Sequence, residues 1–177
     1  MNSITNHQPQ VQILQLGERP HQKRVLRLAL RLLKIPGMGS IASNLIMHYL
    51  PRCERVSMQP GFYMLYGNIV ANNVSFSDTF FQDYADIVIG EKTSFSYQCM
   101  LLTAEHDLEG DFRTIIAKPI VIGKNVWITS RVVILGGTKI GDNSVIGAGS
   151  VVRGDIPSNV FAAGVPAEPI RTIKRDL

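Results

Sequence analysis

The stretch LLTAEHDLEGDFR, from Leu101 to Arg113, sets one imidazole, His106, among four acids: Glu105, Asp107, Glu109 and Asp111. No other histidine follows His48. A neutral imidazole takes a proton from a weak nucleophile near neutral pH, so His106 is a candidate general base. Cys99, close by, is the one thiol in the same region and a candidate nucleophile. A zinc site needs about three convergent imidazoles. His7, His21 and His48 all precede the patterned part of the chain, so a zinc hydratase reading is poorly supplied and no metal is expected. Cys53 and Cys99 give neither a disulfide framework nor metal-ligand spacing.

What holds His106 is a repeat. From Ile122 the chain divides into sixes: IGKNVW, ITSRVV, ILGGTK, IGDNSV, IGAGSV, VRGDIP. The first position is always Ile or Val (Ile122, Ile128, Ile134, Ile140, Ile146, Val152). The fifth is small or β-branched (Val126, Val132, Thr138, Ser144, Ser150, Ile156). A strand alternates with period two and an α-helix with 3.6, so a period of six fits neither. It describes a polygonal coil of short strands and turns, with Gly, Asn and Asp at the turns and an aliphatic residue pointing inward from each side. Stacked coils pair as parallel strands around a continuous apolar column.

The same phase runs upstream through Ile89, Phe95 and Leu101. From Leu101 to Ile122 is 21 residues, not a multiple of six, so a segment of roughly residues 104–119 is extruded with His106 at its root. Loops that interrupt a regular scaffold tend to carry function. Further up, NIVANNVSFSDTFFQDYAD reads as an irregular first coil with one or two insertions. The expected organisation is a helical, basic segment over 1–55, a repeat body over 56–165 and a tail over 166–177. Cys99 holds a fifth position and should face the core, which argues against its being the nucleophile.

The formal charge of +4 is unevenly spread. Residues 1–55 carry eight Lys/Arg against two acids and residues 56–177 ten against twelve, or +6 and −2. The surplus lies on QKRVLRLALRLLK, where Arg24, Arg27, Arg31 and Lys34 recur at helical spacing on a Leu-rich segment. IPG at 35–37 ends this helix, and SIASNLIMHYL reads as a second, stopped by Pro51. Two readings stand side by side: a cap over the open end of the coil, packed through Leu26, Leu30 and Leu33, or a contact with an anionic membrane surface or lipid-linked substrate. No apolar run is long enough to span a bilayer, and the first residues do not read as a secretory signal. The expected location is the cytoplasm, with a peripheral membrane contact left open. Nucleic acid is not an expected partner.

TAEHD before the extruded segment, PIVIGKNVWITSRVVILGGTKIGDNSVIGAGSVV after it and DIPSNVFAAGVPAEPIR near the end resemble the hexapeptide-repeat acetyltransferases, in the branch of galactoside and maltose O-acetyltransferases and polysaccharide-modifying acetyltransferases. The resemblance implies an all-β fold, a left-handed parallel β-helix with three hexads per coil, and a homotrimer with acetyl-CoA between neighbouring β-helices. By motif match His106 is the general base. The backbone N–H of Ser130 is the oxyanion donor and Trp127 a wall of the site. Ala148 lines the pantetheine slot, and Arg171, Lys174 and Arg175 lie toward the phosphates. Two positions depart from the pattern: a contact that is often Thr falls on Arg153, and a tail position that is often basic falls on Glu168. On the acceptor side, the family's acid falls on or beside Asp83. Its Asn falls near Phe76, where either Asp78 or a shifted frame takes its place.

Together these imply an acetyl-CoA-dependent O-acetyltransferase acting on a hydroxyl of a saccharide or polysaccharide precursor. Both substrates are held at once, with no acyl-enzyme. The alternatives are acetylation of a xenobiotic hydroxyl or a sugar amine and, more remotely, a β-helix scaffold with no catalysis.

Overall fold

The computed structural model describes residues 11–15 and 24–174. Short strands stack into three parallel faces. The first holds Tyr63–Met64, Phe80–Gln82, Met100–Leu102, Val133–Leu135 and Val151–Val152. The second runs from Cys53–Glu54 through Ile69–Asn72, Ile87–Ile89, Ile120–Ile122 and Lys139–Ile140 to Asp155–Ile156. The third runs from Ser57–Met58 through Ser75–Ser77, Ser94–Phe95, Trp127–Ile128 and Val145–Ile146 to Val160–Gly164. The chain visits the faces in rotation, so each coil is a triangle and the molecule a parallel β-helix.

All twelve inward positions of the six regular hexads are buried, none more than 4% exposed. The fifth positions do more than fit. Ser144 Oγ donates to the Pro157 carbonyl at 2.8 Å and accepts from Val160 N–H. Ser150 Oγ donates to Gly147 O and accepts from Gly164 N–H. Thr93 Oγ1 donates to Gly123 O and accepts from Val126 N–H. A small hydroxyl at this position ties a corner to the coil beside it, satisfying backbone groups that the turn takes out of the ladder.

The irregular first coil has a definite form. From Ala71 the inward residues fall at Phe76, Phe81 and Ile89, steps of five, five and eight where the regular stretch steps by six. The two extra residues therefore sit at one corner, between Gln82 and Asp86, offset by two shortened sides. Phe76 is a core residue stacked on Phe62, with ring centroids 5.7 Å apart.

The structure adds to the expected organisation in four places. The extruded segment forms a β-hairpin: Ala104–His106 pairs antiparallel with Thr114–Ala117. Gln12–Gln15, placed by sequence in a separate helical segment, is the third strand of that hairpin sheet, with Gln12 opposite Ala117 and Gln15 opposite Thr114. The tail is also ordered, since Ala167–Thr172 pairs antiparallel with Val160–Gly164. The repeat body starts slightly before residue 56, because Cys53–Glu54 already pairs with Ala71–Asn72.

Two helices close the start of the coil: α1, Arg24–Leu32, and α2, Gly39–Met47. Gly37 turns the chain between them at φ +82°, a conformation that residues with a Cβ rarely adopt. Leu26, Leu30 and Leu33 are buried and join Ile46, Leu50, Phe62 and Met64 in one core continuous with the coil column. No described helix is long and apolar enough to cross a membrane.

Candidate active site

His106 ends the first hairpin strand, just past the corner between the first and second faces. Its Nδ1–H donates to the Phe112 carbonyl across the hairpin at 2.5 Å. That bond selects the tautomer with Nε2 unprotonated, and Nε2 has no partner among the described residues. The neighbouring acids do not touch the ring. Glu105 pairs with Lys118 across the hairpin at 2.7 Å. Asp107 accepts from the N–H groups of Glu109 and Gly110, and Asp111 accepts from Arg113 N–H. The acids build the hairpin turn, and a backbone carbonyl orients the base. Gly136, on the next coil, keeps the hairpin root close. A Cβ there would lie 2.8 Å from the Thr103 carbonyl oxygen and 3.0 Å from that of Lys118.

Beside His106 is a half-open cavity of about 80 Å³ lined by Gln82, Tyr84, Ala104, Glu105, His106 and Ile115. Gln82 and Tyr84 were not singled out from the sequence. They come from the two-residue extension at the corner directly beneath the hairpin. The signal for this corner in the sequence is Asp83, which lies between them.

Asp83 itself is not a ligand-facing acid, and its assignment to acceptor binding is corrected here. It is fully buried. Its carboxylate accepts backbone N–H groups from Leu65, Tyr66, Gly67 and Asn68 at 2.6–3.3 Å. Asp83 therefore anchors the turn of the preceding coil, and all its lone-pair directions point that way. Asp78 does not line the cavity either. It lies at the corner between the third and first faces, where its Oδ1 accepts Gln98 N–H at 2.8 Å.

The other expected residues divide between two edges. Trp127 is 47% exposed on the third face, and its Nε1–H donates to Ser96 Oγ at 2.9 Å. Ser130 follows at the corner that leads into the first face. The N–H groups of its neighbours Thr129 and Arg131 bond to Ile146 O and Tyr97 O, whereas the Ser130 N–H has no partner among the described residues. Gly149 N–H bonds to Ser130 O, so the exposed Ala148 sits on the same edge one coil on. Arg153 instead follows Val151–Val152, on the edge that carries the hairpin. Arg171 lies over the Phe161 ring at 5.7 Å, and Lys174 is exposed just beyond it. His7, His21 and Arg175 lie outside the described residues.

His106 and Ser130 thus stand at opposite ends of the first face. A side of about six residues at ~3.3 Å per residue separates them by roughly 15–20 Å. One chain does not bring them together.

Cys99 is 1% exposed, and its Sγ donates to the Thr129 carbonyl at 2.9 Å. Burial pushes its thiol up, away from the nucleophilic thiolate. Burial likewise pushes the Cys53 thiol up to about 11.

Comparison with known proteins agrees with this geometry. The family model of bacterial transferase hexapeptide (six repeats) matches residues 119–154. The galactoside O-acetyltransferase of Escherichia coli (strain K12) is 42% identical over 130 residues, covering 68% of this chain and 62% of that protein. A maltose O-acetyltransferase from Clostridium difficile 630 superposes with a TM-score of 0.77 at 29% identity, covering 85% of each chain. A galactoside acetyltransferase in complex with coenzyme A superposes with a TM-score of 0.71 at 33% identity, covering 84% of this chain and 79% of that one. The fold and the repeat define a left-handed parallel β-helix of the hexapeptide class. The chain belongs to the hexapeptide-repeat acetyltransferase family, in the galactoside and maltose O-acetyltransferase group. It spans only about three-fifths of the length of the E. coli relative (62%).

The anchoring role of Asp83 has a measurable consequence. Asp83→Ala removes the acceptor of four buried or half-buried N–H groups and is expected to lower stability by about 3 kcal/mol or more in urea denaturation. A loss below about 1 kcal/mol would mean that water replaces the carboxylate and the turn is held otherwise.

Proposed function

We propose that the chain is an acetyl-CoA-dependent O-acetyltransferase that acts on a hydroxyl of a saccharide or polysaccharide precursor. The observation that carries this reading is the Nδ1–H bond of His106 to the Phe112 carbonyl, which leaves an unpartnered, unprotonated Nε2 beside a cavity. His106 Nε2 takes the proton of the acceptor hydroxyl as its oxygen attacks the thioester carbonyl carbon. The developing oxyanion is met by the free N–H of Ser130. Collapse breaks the carbon–sulfur bond, and the imidazolium returns its proton to the departing thiolate. No acyl-enzyme forms, and the buried Cys99 takes no part. The carrier names of the relatives, galactoside and maltose, support a saccharide acceptor.

The same reading requires a homotrimer. The base lies on one edge with Arg153; Ser130, Ala148 and Asp78 lie on another, with Trp127 on the adjoining face. Pairing these unlike edges between copies is a heterologous contact that closes into a ring, and it brings His106 of one copy to Ser130 of the next. Acetyl-CoA then lies along the joint, with Ala148 beside the pantetheine and Arg171, Lys174 and Arg153 available to the phosphates. Asp78 enters the acceptor site, if at all, from the neighbouring copy. The work is placed in the cytoplasm, where acetyl-CoA is supplied and two free thiols persist.

The helical cap adds an anionic membrane surface as partner. Val25, Leu28, Ile35, Ile41 and Leu45 are exposed on α1, α2 and the turn between them, beside the exposed cations Arg24, Arg27, Arg31 and Lys34. Residues 19–53 contain no acid. Apolar side chains rimmed by uncompensated positive charge match an anionic headgroup layer, where a lipid-linked saccharide would be met.

Three measurements test this. His106→Ala is expected to lower turnover roughly 10²–10⁴-fold with little change in acetyl-CoA binding by calorimetry. A folded, coenzyme-binding His106→Ala protein with near-normal turnover removes His106 as the base. Light scattering is expected to give a trimer; a monomer at assay concentration contradicts the shared site. Flotation with phosphatidylglycerol vesicles is expected at low salt and should weaken at about 0.5 M salt; no flotation at low salt leaves the helices as a cap alone.

A further inference from the structure

One coil beneath Trp127 and Ser130, residues 96–99 turn the chain from the third face into the first. Each of these four residues bonds to the corner above, residues 127–131. Ser96 N–H donates to Ile128 O at 2.8 Å, and Tyr97 O accepts Arg131 N–H at 2.8 Å. Gln98 Oε1 accepts from Arg131 Nε at 3.4 Å. Stacked coils require backbone bonds of this kind. Two side-chain bonds are additional. Ser96 Oγ accepts the indole N–H of Trp127 at 2.9 Å, and Cys99 Sγ donates to Thr129 O at 2.9 Å.

The thiol acts on the peptide that carries the Ser130 N–H. In a trans peptide the carbonyl and the N–H lie in one plane and point opposite ways. Thr129 O and Ser130 N–H share such a peptide, so a donor that holds the oxygen toward the core turns the N–H away from it. Cys99 is buried there, and burial pushes its thiol up, so it keeps the proton that it donates. The carbonyls of Ser96 and Tyr97 lie farther from Sγ, at 3.9 and 4.0 Å, so the proton goes to Thr129. Around the free N–H, Thr129 N–H, Ser130 O and Arg131 N–H are all bonded within the chain.

The hydroxyl acts on the ring. Trp127 is 47% exposed, and packing alone leaves an exposed side chain free to change rotamer within nanoseconds. The bond to Ser96 ties the indole edge to the coil beneath. Indole has one donor and no acceptor, so with that donor occupied Trp127 has only its apolar face to offer a ligand.

We propose that Ser96 and Cys99 are positioning residues for the thioester end of acetyl-CoA, Ser96 holding the Trp127 ring so that its face forms the wall and Cys99 holding the peptide between Thr129 and Ser130 so that its N–H meets the thioester oxygen. The proposal rests on the reading of Trp127 and Ser130 as the coenzyme side of the site. Neither Ser96 nor Cys99 touches the coenzyme or exchanges a proton in the transfer.

The test uses the full-length protein and acetyl-CoA, with no acceptor. Trp127 is the only tryptophan of the chain, so fluorescence reads this one ring. In time-resolved anisotropy, Ser96→Ala is expected to add a nanosecond motion absent from the wild type, and Ser96→Thr, which keeps the hydroxyl, should not. By calorimetry, Ser96→Ala should weaken acetyl-CoA binding roughly three- to tenfold, the value of one neutral contact. For Cys99 the readout is the infrared stretch of acetyl-CoA isotope-labelled at the acetyl carbonyl. Binding to the wild type should lower its frequency, because the Ser130 N–H polarises the carbonyl. Cys99→Val fills the space without a donor and should lose much of that shift, whereas Cys99→Ser should keep it. Melting curves show that each variant is folded at the temperature of measurement. A Ser96→Ala ring as still as the wild type's, or a Cys99→Val shift equal to the wild type's, overturns the proposal. A wild type that binds no acetyl-CoA removes the functional reading and the proposal together. A wild type that binds it while the variants match it removes the proposal alone.

Discussion

Six residues per side leave an interior wide enough for one aliphatic side chain and one small side chain from each hexad. Ile134, fully buried between Leu101 below and Val152 above, has no lateral room to spare. A larger fifth residue would crowd the column. A polar one is tolerated only because its hydroxyl closes a bond to the adjoining corner, as Ser144, Ser150 and Thr93 do. The parallel ladders add a second restriction. An extra residue within a side would slip every side chain beyond it to the opposite face. Extra chain can therefore leave only at corners. The three corners are where this molecule stores everything that is not scaffold.

At one corner the chain leaves twice on successive coils. The Gln82–Asp86 extension adds two residues, and the hairpin from Ala104 to Ala117 follows directly above it. Each excursion needs an anchor, because the turn takes backbone groups out of the ladder. Asp83 collects the N–H groups of the coil beneath, and Thr103 ties Gln82 to Ala85. Gly136 lets the hairpin root lie against the coil above. His106 thus inherits its position from a ladder that has no freedom to shift, with only the short link of Thr103 in between. An imidazole placed this way, with its Nδ1–H held by the Phe112 carbonyl, keeps a fixed direction although it is exposed.

The regular half of the molecule was legible from spacing alone. Each hexad from Ile122 onward points inward as the period requires, and the break before Ile122 marks the hairpin and its histidine. Cys99 could be assigned to the core because the phase extends upstream. The rest was hidden for particular reasons. Gln12–Gln15 is a strand whose partner lies about a hundred residues away, and a short segment carries no sign of a distant edge. The first coil compensates two short sides with one long corner, so its total remains a multiple of six and the period does not betray where the extra residues sit. Asp83 looks like a site acid because composition cannot separate a carboxylate that faces a ligand from one that gathers backbone N–H groups. Tyr84, its neighbour, faces the cavity because successive residues at the corner alternate between inside and outside.

That alternation also decides what kind of site the corner can make. With Asp83 turned inward, the outward positions are Gln82 and Tyr84, so the chain presents an amide and a ring where a one-residue shift would present a carboxylate. The carboxylate on the cavity wall, Glu105, is paired with Lys118, and the fixed partner of the imidazole is the Phe112 carbonyl. Among the described residues, no carboxylate is hydrogen-bonded to the His106 ring. The register of three consecutive residues thus decides which side chains this corner presents.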